Sequence, residues 1–373
     1  MSNPKNGYYI YYETYNDFIG VHKKIDNQIR IMNFCLKCKK VIVPREKKNV
    51  IKSILWRLPF GSFGREYEKV FDIIDDKPDF FYIRFVAVDR RFLGFVKKVR
   101  ERYPTTKIIM EIATYPYKGE LTGSLTMFPF YFKDLFYRKK LRRYVDRIVT
   151  FSEDDEIFGI PTIHTRNGIV VDDYKVVHKV KQDNVIRLIA VAMFQPSHGY
   201  ERCIEGLANY YRGAQKQQVE LHMVGDGEET QYYRKLVYKY HLEKYVIFHG
   251  KKSGNELEEL YNEADIGISA LGIYKRGLKR VSTLKTSEYL AKGLPVIVGF
   301  PEEIFQLEPT EYVCEFPNDK SAIDINRVTD FYNSIYADST VRENMHINIH
   351  NYAKKMADMQ VVMKPIIEYV SDN

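Results

Sequence analysis

Short apolar runs alternate with helical patterns throughout the second half of the chain, and this alternation constrains the fold more than any other feature. The predicted strands are 186–192, 219–224, 246–248, 266–269 and 295–298, and the predicted helices are 200–211, 228–240, 256–264 and 283–292. Neighbouring parallel strands need a long crossover connection, which is usually a helix. The alternation therefore predicts an α/β domain with a doubly wound parallel sheet.

The first half of the chain has the same organisation. Its predicted strands are 8–12, 41–43, 80–85, 107–112 and 147–152, and a polar run follows at 172–184. We therefore predict two Rossmann-like domains with a cleft between them. The predicted boundaries are a first domain at 1–168, a linker at 169–184, a second domain at 185–345, and a C-terminal helical segment at 346–373 that can return to the first domain.

Length and composition fit a two-domain chain without a membrane span. The chain has 373 residues, of which 45% are hydrophobic, and this suffices for two medium cores. It contains no run of roughly 18 apolar residues and no signal-peptide pattern, so we expect a cytoplasmic protein. Cys35 and Cys38 have metal-ligand spacing, but no second cysteine pair or nearby histidine completes a set, so we expect no metal site there.

The net charge of +8 is unevenly distributed. Residues 1–180 contain 34 Lys and Arg against 22 Asp and Glu, whereas the remainder of the chain is acidic overall. A basic half is typical of proteins that bind nucleic acid, an anionic membrane surface or phosphorylated substrates. Composition alone does not choose among these partners.

The stretch from Leu271 to Gly299 has the features of an anion site. A cationic loop precedes a predicted helix at 283–292, and the cations of this region are Lys275, Arg276, Lys279, Arg280 and Lys285. A helix N-terminus presents unpaired N–H groups and a partial positive charge, which favour a phosphate. One turn further along, the Glu288 carboxylate can accept hydrogen bonds from a ribose. A position that favours a phosphate, followed one turn later by a carboxylate that can bind the ribose diol, predicts a nucleotide-binding site.

The sequence from Glu288 to Ile297, EYLAKGLPVI, resembles the donor-site helix and strand of retaining glycosyltransferase family 4. The resemblance implies the two-domain GT-B fold and transfer of a sugar, with retention, from a nucleotide sugar, with UDP favoured. In that family the glutamate that matches Glu288 binds the ribose. The family also has a glutamate eight residues earlier, near the transferred sugar, where this chain has Arg280.

Two further positions complete the predicted donor site. Gly20 opens a Gly-Val-x-Lys-Lys-Ile-x-x-Gln-Ile run that resembles a loop and helix of capsule-type members of the family, although an ordinary strand-to-helix turn would use a glycine as well. His198 stands where most members carry a lysine for the phosphates. The predicted donor-binding residues are Gly20, His198, Arg276, Lys279, Arg280, Lys285 and Glu288.

The predicted acceptor site is the loop at 113–120, which follows the strand at 107–112. Aromatic rings stack on the apolar face of a sugar, and the carboxylates of Glu111 and Glu120 can bind its hydroxyls. The loop resembles a Glu-x-x-Thr-Tyr-Pro-Tyr loop of capsule-type members. The predicted acceptor-binding residues are Thr114, Tyr115, Tyr117 and Glu120.

The segment 127–147 combines many aromatic residues with a following run of cations. This pairing is typical of a helix at a membrane interface, where aromatics enter the headgroup boundary and cations meet anionic lipid. A plain structural helix and a nucleic-acid surface remain alternatives. We predict contact with an anionic membrane through 128–147, a peripheral location at the inner face, and no nucleic-acid partner.

The chain contains no Asp-x-Asp sequence, the pair with which many GT-A enzymes hold a divalent metal. We therefore predict metal-independent chemistry and no cofactor, the nucleotide sugar being a substrate. The predicted function is glycosyl transfer to a lipid-linked or glycan acceptor in capsular or other surface polysaccharide synthesis. A GT-B nucleotide-sugar epimerase and a non-catalytic glycosyltransferase-like subunit are the alternatives.

Overall fold

The structure, a computed structural model, describes most of the chain, and every structural statement below concerns the described residues. These are 3–13, 19–44, 67–74, 77–85, 87–118, 128–178, 183–214, 217–276, 282–336 and 339–372. The chain divides into two compact units. The first comprises residues 1–166 and 362–373, and the second comprises residues 167–361.

The described strands of the first unit form one sheet with the order β2-β1-β3-β4-β5-β7-β6. The strands are β1 (Asn6–Tyr12), β2 (Lys37–Val43), β3 (Phe80–Arg84), β4 (Lys107–Ile112), β5 (Arg147–Thr150), β6 (Glu156–Ile157) and β7 (Ile160–His164). All neighbouring pairs are parallel except β6 and β7. The central strands are buried on both faces, as parallel strands covered by helices are. The predicted doubly wound parallel sheet is confirmed for this unit.

Its helices include α1 (Ile19–Met32), α2 (Val70–Ile73), α3 (Arg90–Arg102) and α4 (Phe128–Tyr137), and a 3₁₀ helix at Arg138–Arg143 continues α4. Helix α1 ends at Met32. The reason is Asn33, whose amide donates to the Cys38 carbonyl at 3.1 Å and accepts from the Cys38 N–H at 2.7 Å. This pairing starts β2 at Lys37, before the predicted Val41.

A buried polar network fastens α1 to the sheet. The Glu111 carboxylate accepts hydrogen bonds from Tyr82 Oη at 2.5 Å, Gln28 Nε2 at 2.7 Å and Arg84 at 2.7 Å. Lys24 Nζ lies 3.4 Å from the same carboxylate. Burial alone would raise the pKa of Glu111, but the two cations and the hydrogen bonds hold it at about 2. Glu111 is therefore committed to the core, and the expectation that it grips a sugar is wrong.

The described strands of the second unit form a parallel sheet with the order β10-β9-β8-β11-β12-β13. The strands are β8 (Ile186–Ala192), β9 (Val219–Gly225), β10 (Val246–Gly250), β11 (Ile266–Ile268), β12 (Val296–Val298) and β13 (Val313–Glu315). Its helices include α5 (Glu201–Arg212), α6 (Thr230–Lys239), α7 (Gly254–Glu263), α8 (Leu284–Ala291), α9 (Glu303–Leu307), α10 (Ile325–Tyr336) and α11 (Ser339–Ala357). The last helix, α12 (Met359–Ser371), belongs mostly to the first unit. The predicted α/β alternation is confirmed here as well, and β13 is an additional strand.

The C-terminal helical segment, predicted at 346–373, is formed by two helices, α11 and α12, which meet at Asp358. The Asp358 carboxylate accepts from the N–H of Gln360 at 2.8 Å and from that of Val171 at 3.0 Å, so it caps α12 and holds an earlier segment. Residues from Val362 onward belong to the first unit. There Lys107 Nζ donates to the Tyr369 carbonyl at 2.7 Å.

The beginning of the predicted linker, residues 169–178, packs within the second unit. Val171 and Val177 are buried, and a 3₁₀ helix covers Val171–Asp173. The Val177 N–H donates to the Lys292 carbonyl at 2.9 Å, just beyond α8. Tyr174 is thereby brought to the side of α8.

Candidate functional site

Helix α8 begins at the carboxyl end of β11, where ligands collect in doubly wound sheets. Thr283 is its N-cap and accepts from the N–H of Thr286. Ser269, which follows β11, lies 3.0 Å from Thr283 Oγ1 and accepts from Thr286 Oγ1 at 2.8 Å. These hydroxyls fix the first turn of α8 to the strand end.

A buried carboxyl completes this N-cap. Glu302 Oε1 accepts from both the N–H and the hydroxyl of Thr283, each at 2.8 Å. Its second oxygen is buried and has no hydrogen-bond partner among the described residues. Burial raises the pKa of Glu302 to about 7, so this group exchanges its proton near neutral pH. Glu302 was not among the predicted site residues, because nothing in the sequence pattern after β12 marks it as the cap of another helix.

Two loops of the second unit meet with their backbones in direct contact. Gly199 has φ +63°, and a Cβ atom there would lie 2.4 Å from the Gly272 nitrogen. The Leu271 N–H donates to the His198 carbonyl at 2.7 Å, and the buried Arg202 guanidinium donates to the Leu271 carbonyl at 2.5 Å. The loop after β8 is therefore held against the loop after β11, which places His198 beside α8.

His198 and Lys285, two of the predicted donor-binding residues, are in contact. The Lys285 Nζ lies 3.0 Å from His198 Nε2, while His198 Nδ1 accepts from the N–H of Gln195 at 3.1 Å. Burial, followed by the nearby Lys285 and Arg276, lowers the pKa of His198 to about 3. Burial also lowers the pKa of Lys285, although Glu288 opposes this. The imidazole is thus neutral.

Glu288 has a hydrogen-bond donor that the sequence did not indicate. The Tyr174 hydroxyl donates to Glu288 Oε1 at 3.0 Å. Burial and the Glu288 charge both raise the pKa of Tyr174, so its hydroxyl keeps its proton at any physiological pH. Tyr174 therefore fixes the orientation of the carboxylate that is predicted to meet a ribose. It was missed because it lies in the polar run that was read as a linker.

The cations of the loop before α8 are not equivalent. Lys275 Nζ lies 2.5 Å from Glu201 Oε1, which offsets its charge. Arg276 is exposed at the end of the 3₁₀ helix Ile273–Arg276. Lys279 and Arg280 lie outside the described residues. Among the described cations of this region, the predicted phosphate-binding role therefore rests on Lys285 and Arg276.

The predicted acceptor residues differ in accessibility. Thr114 and Tyr115 are partly exposed beyond the end of β4. Tyr117 is only 5% exposed and its hydroxyl donates to Asp134 on α4 at 2.5 Å, so it supports the loop from within the core. Glu120 lies outside the described residues. Gly20 is the second residue of α1 in the same unit, following β1 along the chain.

Helix α4 presents an apolar face to solvent. Phe132 and Phe136 are 51% and 53% exposed, and they lie on one face with Phe128 and Leu135. Lys133, Asp134 and Tyr137 face the core instead. The 3₁₀ helix that follows exposes four cations, Lys139, Lys140, Arg142 and Arg143. We call these eight exposed residues the α4 surface. No helix among the described residues is long and apolar enough to cross a membrane.

Comparisons with known proteins bear on the family similarity and the fold of the chain. Residues 173–330, which include Tyr174, His198, Lys285 and Glu288, match the family model described as Glycosyl transferases group 1. The match lies within the second unit. A search of curated protein sequences found no match to the chain.

Solved structures show the fold of the whole chain. Sucrose-phosphate synthase from Thermosynechococcus elongatus is similar with a TM-score of 0.63 and 14% identity, over 98% of this chain and 99% of that one. Anabaena HepE in complex with UDP has a TM-score of 0.62 and 13% identity over the same shares. A glycosyltransferase from Rickettsia africae has a TM-score of 0.62 and 11% identity over 100% of both chains. The fold is GT-B.

Proposed function

We propose that the protein is a retaining glycosyltransferase of the family 4 type, which transfers a sugar from a nucleotide sugar to a lipid-linked or glycan acceptor in capsular or other surface polysaccharide synthesis. The observation that carries the proposal is the arrangement at α8, where Lys285 meets His198 at the helix start and Glu288 follows one turn later. This arrangement lies within the region that matches a glycosyltransferase family.

The donor diphosphate would bind at the start of α8. The N–H groups of its first turn and the side chain of Lys285 face the charge that grows on the diphosphate as the glycosidic bond breaks. Glu288, oriented by Tyr174, accepts hydrogen bonds from the ribose. We assign no protein nucleophile. Retention is proposed from the family resemblance, in which the departing phosphate itself acts as the base.

UDP is the favoured nucleotide. Anabaena HepE, which shares this fold, has been solved in complex with UDP and with UDP-glucose. The test is a calorimetric titration with UDP, GDP, CDP and TDP, and with a nucleotide sugar of each. We expect one series to bind in a saturable way. If none binds, the proposal fails. Donor turnover without an acceptor would instead indicate an epimerase, and binding without any turnover would indicate a non-catalytic subunit.

Activity is expected to survive EDTA. Lys285 and the helix N-terminus can neutralise the leaving diphosphate, and the sequence has no Asp-x-Asp pair to hold a metal. Turnover should be measured with and without chelator under otherwise equal conditions. Loss of activity on chelation that magnesium or manganese restores would show that the diphosphate depends on a metal ion.

The acceptor would bind in the first unit, near Thr114 and Tyr115, and the α4 surface would hold that unit on the anionic inner leaflet. Exposed aromatics beside exposed cations are the combination that an interfacial helix needs, and the structure exposes these residues together. Asp134 connects α4 to Tyr117 of the acceptor loop. A lipid-linked acceptor would therefore be presented close to the loop that binds it.

Replacing the four exposed cations of the α4 surface by Gln should abolish sedimentation with anionic liposomes while donor binding stays unchanged. Each cation contributes about 1 kcal/mol near an anionic surface, so the four changes together remove roughly 4 kcal/mol of attraction. Arg138 is left in place because it donates to the buried Asp134 at 3.2 Å.

A matched control changes four exposed cations elsewhere in the first unit, Arg30, Lys37, Lys97 and Lys98, to Gln. This variant has the same net charge as the test variant and should still sediment. If both variants lose liposome binding equally, only net charge matters. If the parent does not sediment at low salt, the α4 surface is not a membrane contact.

A further inference from the structure

The protonation of His198 follows from its hydrogen bonds. A backbone N–H can only donate, and that of Gln195 points at His198 Nδ1 from 3.1 Å, so Nδ1 must present its lone pair. A neutral imidazole then carries its single proton on Nε2. The same N–H contact excludes the imidazolium, which has a proton on both nitrogens. Burial, the largest cause of the low pKa of His198, likewise favours the neutral ring.

This tautomer determines the state of Lys285. The Nε2–H group of His198 faces Lys285 Nζ across 3.0 Å. An ammonium group has three donors and no acceptor, so it cannot receive this hydrogen bond, whereas a neutral amine has a lone pair that can. The contact is therefore a hydrogen bond from the imidazole to an uncharged lysine.

We propose that Lys285 is a neutral amine in the ligand-free site and takes up one proton from solvent when a nucleoside diphosphate binds. The proposal deepens the proposed function and rests on it. The proton adds to the lone pair of Lys285 Nζ, which breaks the hydrogen bond from His198. The resulting ammonium and the released Nε2–H group can then both donate to phosphate oxygens. A histidine at this position thus leaves the lysine uncharged until its anionic partner arrives.

The surroundings of Lys285 support this change of state. Burial lowers the pKa of Lys285, and Glu288 on α8 is the carboxylate that opposes this effect. On the other elements near the helix start, Arg276 is a further cation, Lys275 is offset by Glu201, and the titratable Glu302 caps Thr283. The elements along the rest of α8 carry Asp172, Asp173, His346 and His350. The two histidines contact carbonyls at the C-terminal end of α8, those of Gly293 and Ala291. A diphosphate adds negative charge at the lysine itself and raises its pKa.

The sign of the pH dependence follows from linkage. The pKa of Lys285 is depressed in the free protein and higher in the complex, so a proton is bound on complex formation between these two values. Affinity for the diphosphate should consequently fall as pH rises through the free-state pKa. Above both values the bound lysine is neutral as well, and no proton is taken up.

Calorimetry of UDP binding measures the proton directly. The titrations are run at several pH values between about 8 and 10, because the nucleotide phosphates are already fully ionised there. Each pH is measured in two buffers that differ in ionisation enthalpy. We expect the binding heat to depend on the buffer, with a slope approaching uptake of one proton. Binding heats that do not depend on the buffer at any pH would overturn the proposal.

Two variants identify the group that takes the proton. Lys285→Arg keeps a permanent positive charge, so it should bind UDP without proton uptake. Lys235→Arg, an equivalent change at an exposed position of α6, should keep the full uptake. Uptake that persists in Lys285→Arg would overturn the proposal. Failure of the parent to bind any nucleotide would refute the proposed function itself, which is a different outcome from binding without uptake.

Discussion

Lys285→Ala is expected to lower the rate of sugar transfer by about a hundredfold while weakening donor binding far less. The reason is that charge on the leaving diphosphate increases as the glycosidic bond breaks, so a cation at the start of α8 stabilises the transition state more than the bound substrate. The measurement is kcat and the donor dissociation constant for the same preparations.

The exposed Lys235 provides the control for this experiment, because Lys235→Ala removes an equal charge from α6 of the same unit. Its kcat should stay near that of the parent. If Lys285→Ala turns over as fast as the control, the diphosphate lies elsewhere, and the positions to examine next are Gly20 and Arg276.

Glu288→Gln is expected to weaken nucleotide-sugar binding by roughly 1–3 kcal/mol and to leave the fold intact, because the change removes a charge-assisted hydrogen bond to the ribose without altering side-chain volume. Calorimetry measures the affinity, and a thermal melt checks the fold. A 2′,3′-dideoxy nucleotide should bind parent and variant about equally, since it offers no diol.

Tyr174→Phe tests the same contact from the other side. Removing the hydroxyl that donates to Glu288 Oε1 should weaken donor binding in the same direction but less. Because the tyrosine acts through the glutamate, the double variant should bind no more weakly than Glu288→Gln alone. Fully additive losses would show that Tyr174 acts independently of Glu288, and an unchanged affinity in both single variants would remove the pair from the site.

The parts of the site that follow from local pattern were predictable. The strands predicted at 266–269 and 295–298 are β11 and β12, and the helix between them begins at Leu284 after the N-cap Thr283. Strand and helix periodicity encode these elements within a few residues of sequence. Lys285 and Glu288 could be placed on one helix for the same reason.

Partners that are distant in sequence could not be predicted. Tyr174 reaches Glu288, and Glu302 caps Thr283, only because the sheet order brings their segments together. Pairing of Lys275 with Glu201 likewise depends on the contact between the loops after β8 and β11. A single sequence shows which residues are charged, but it does not show which of them form ion pairs in the folded chain.

Helix α4 illustrates the same limit on a surface. Its aromatic and cationic content indicated an interfacial helix, but the pattern alone did not determine which face is exposed. Lys133 and Asp134 are buried, and the reason is partners from other loops, since Asp134 accepts from the Val88 N–H at 3.0 Å and from Tyr117. The exposed face is consequently more apolar than the composition of the segment implied.

The most direct measurement is transfer of label from a UDP-sugar labelled in the sugar into a lipid extract or glycan fraction of a capsule-forming bacterium, with EDTA present. We predict that label is incorporated, that UDP is released in equal amount, that the anomeric configuration of the donor is retained in the product, and that Lys285→Ala loses most of this activity. The central claim would be contradicted if the parent binds the donor but transfers nothing to any acceptor, or if it converts the donor to another sugar nucleotide with no acceptor present.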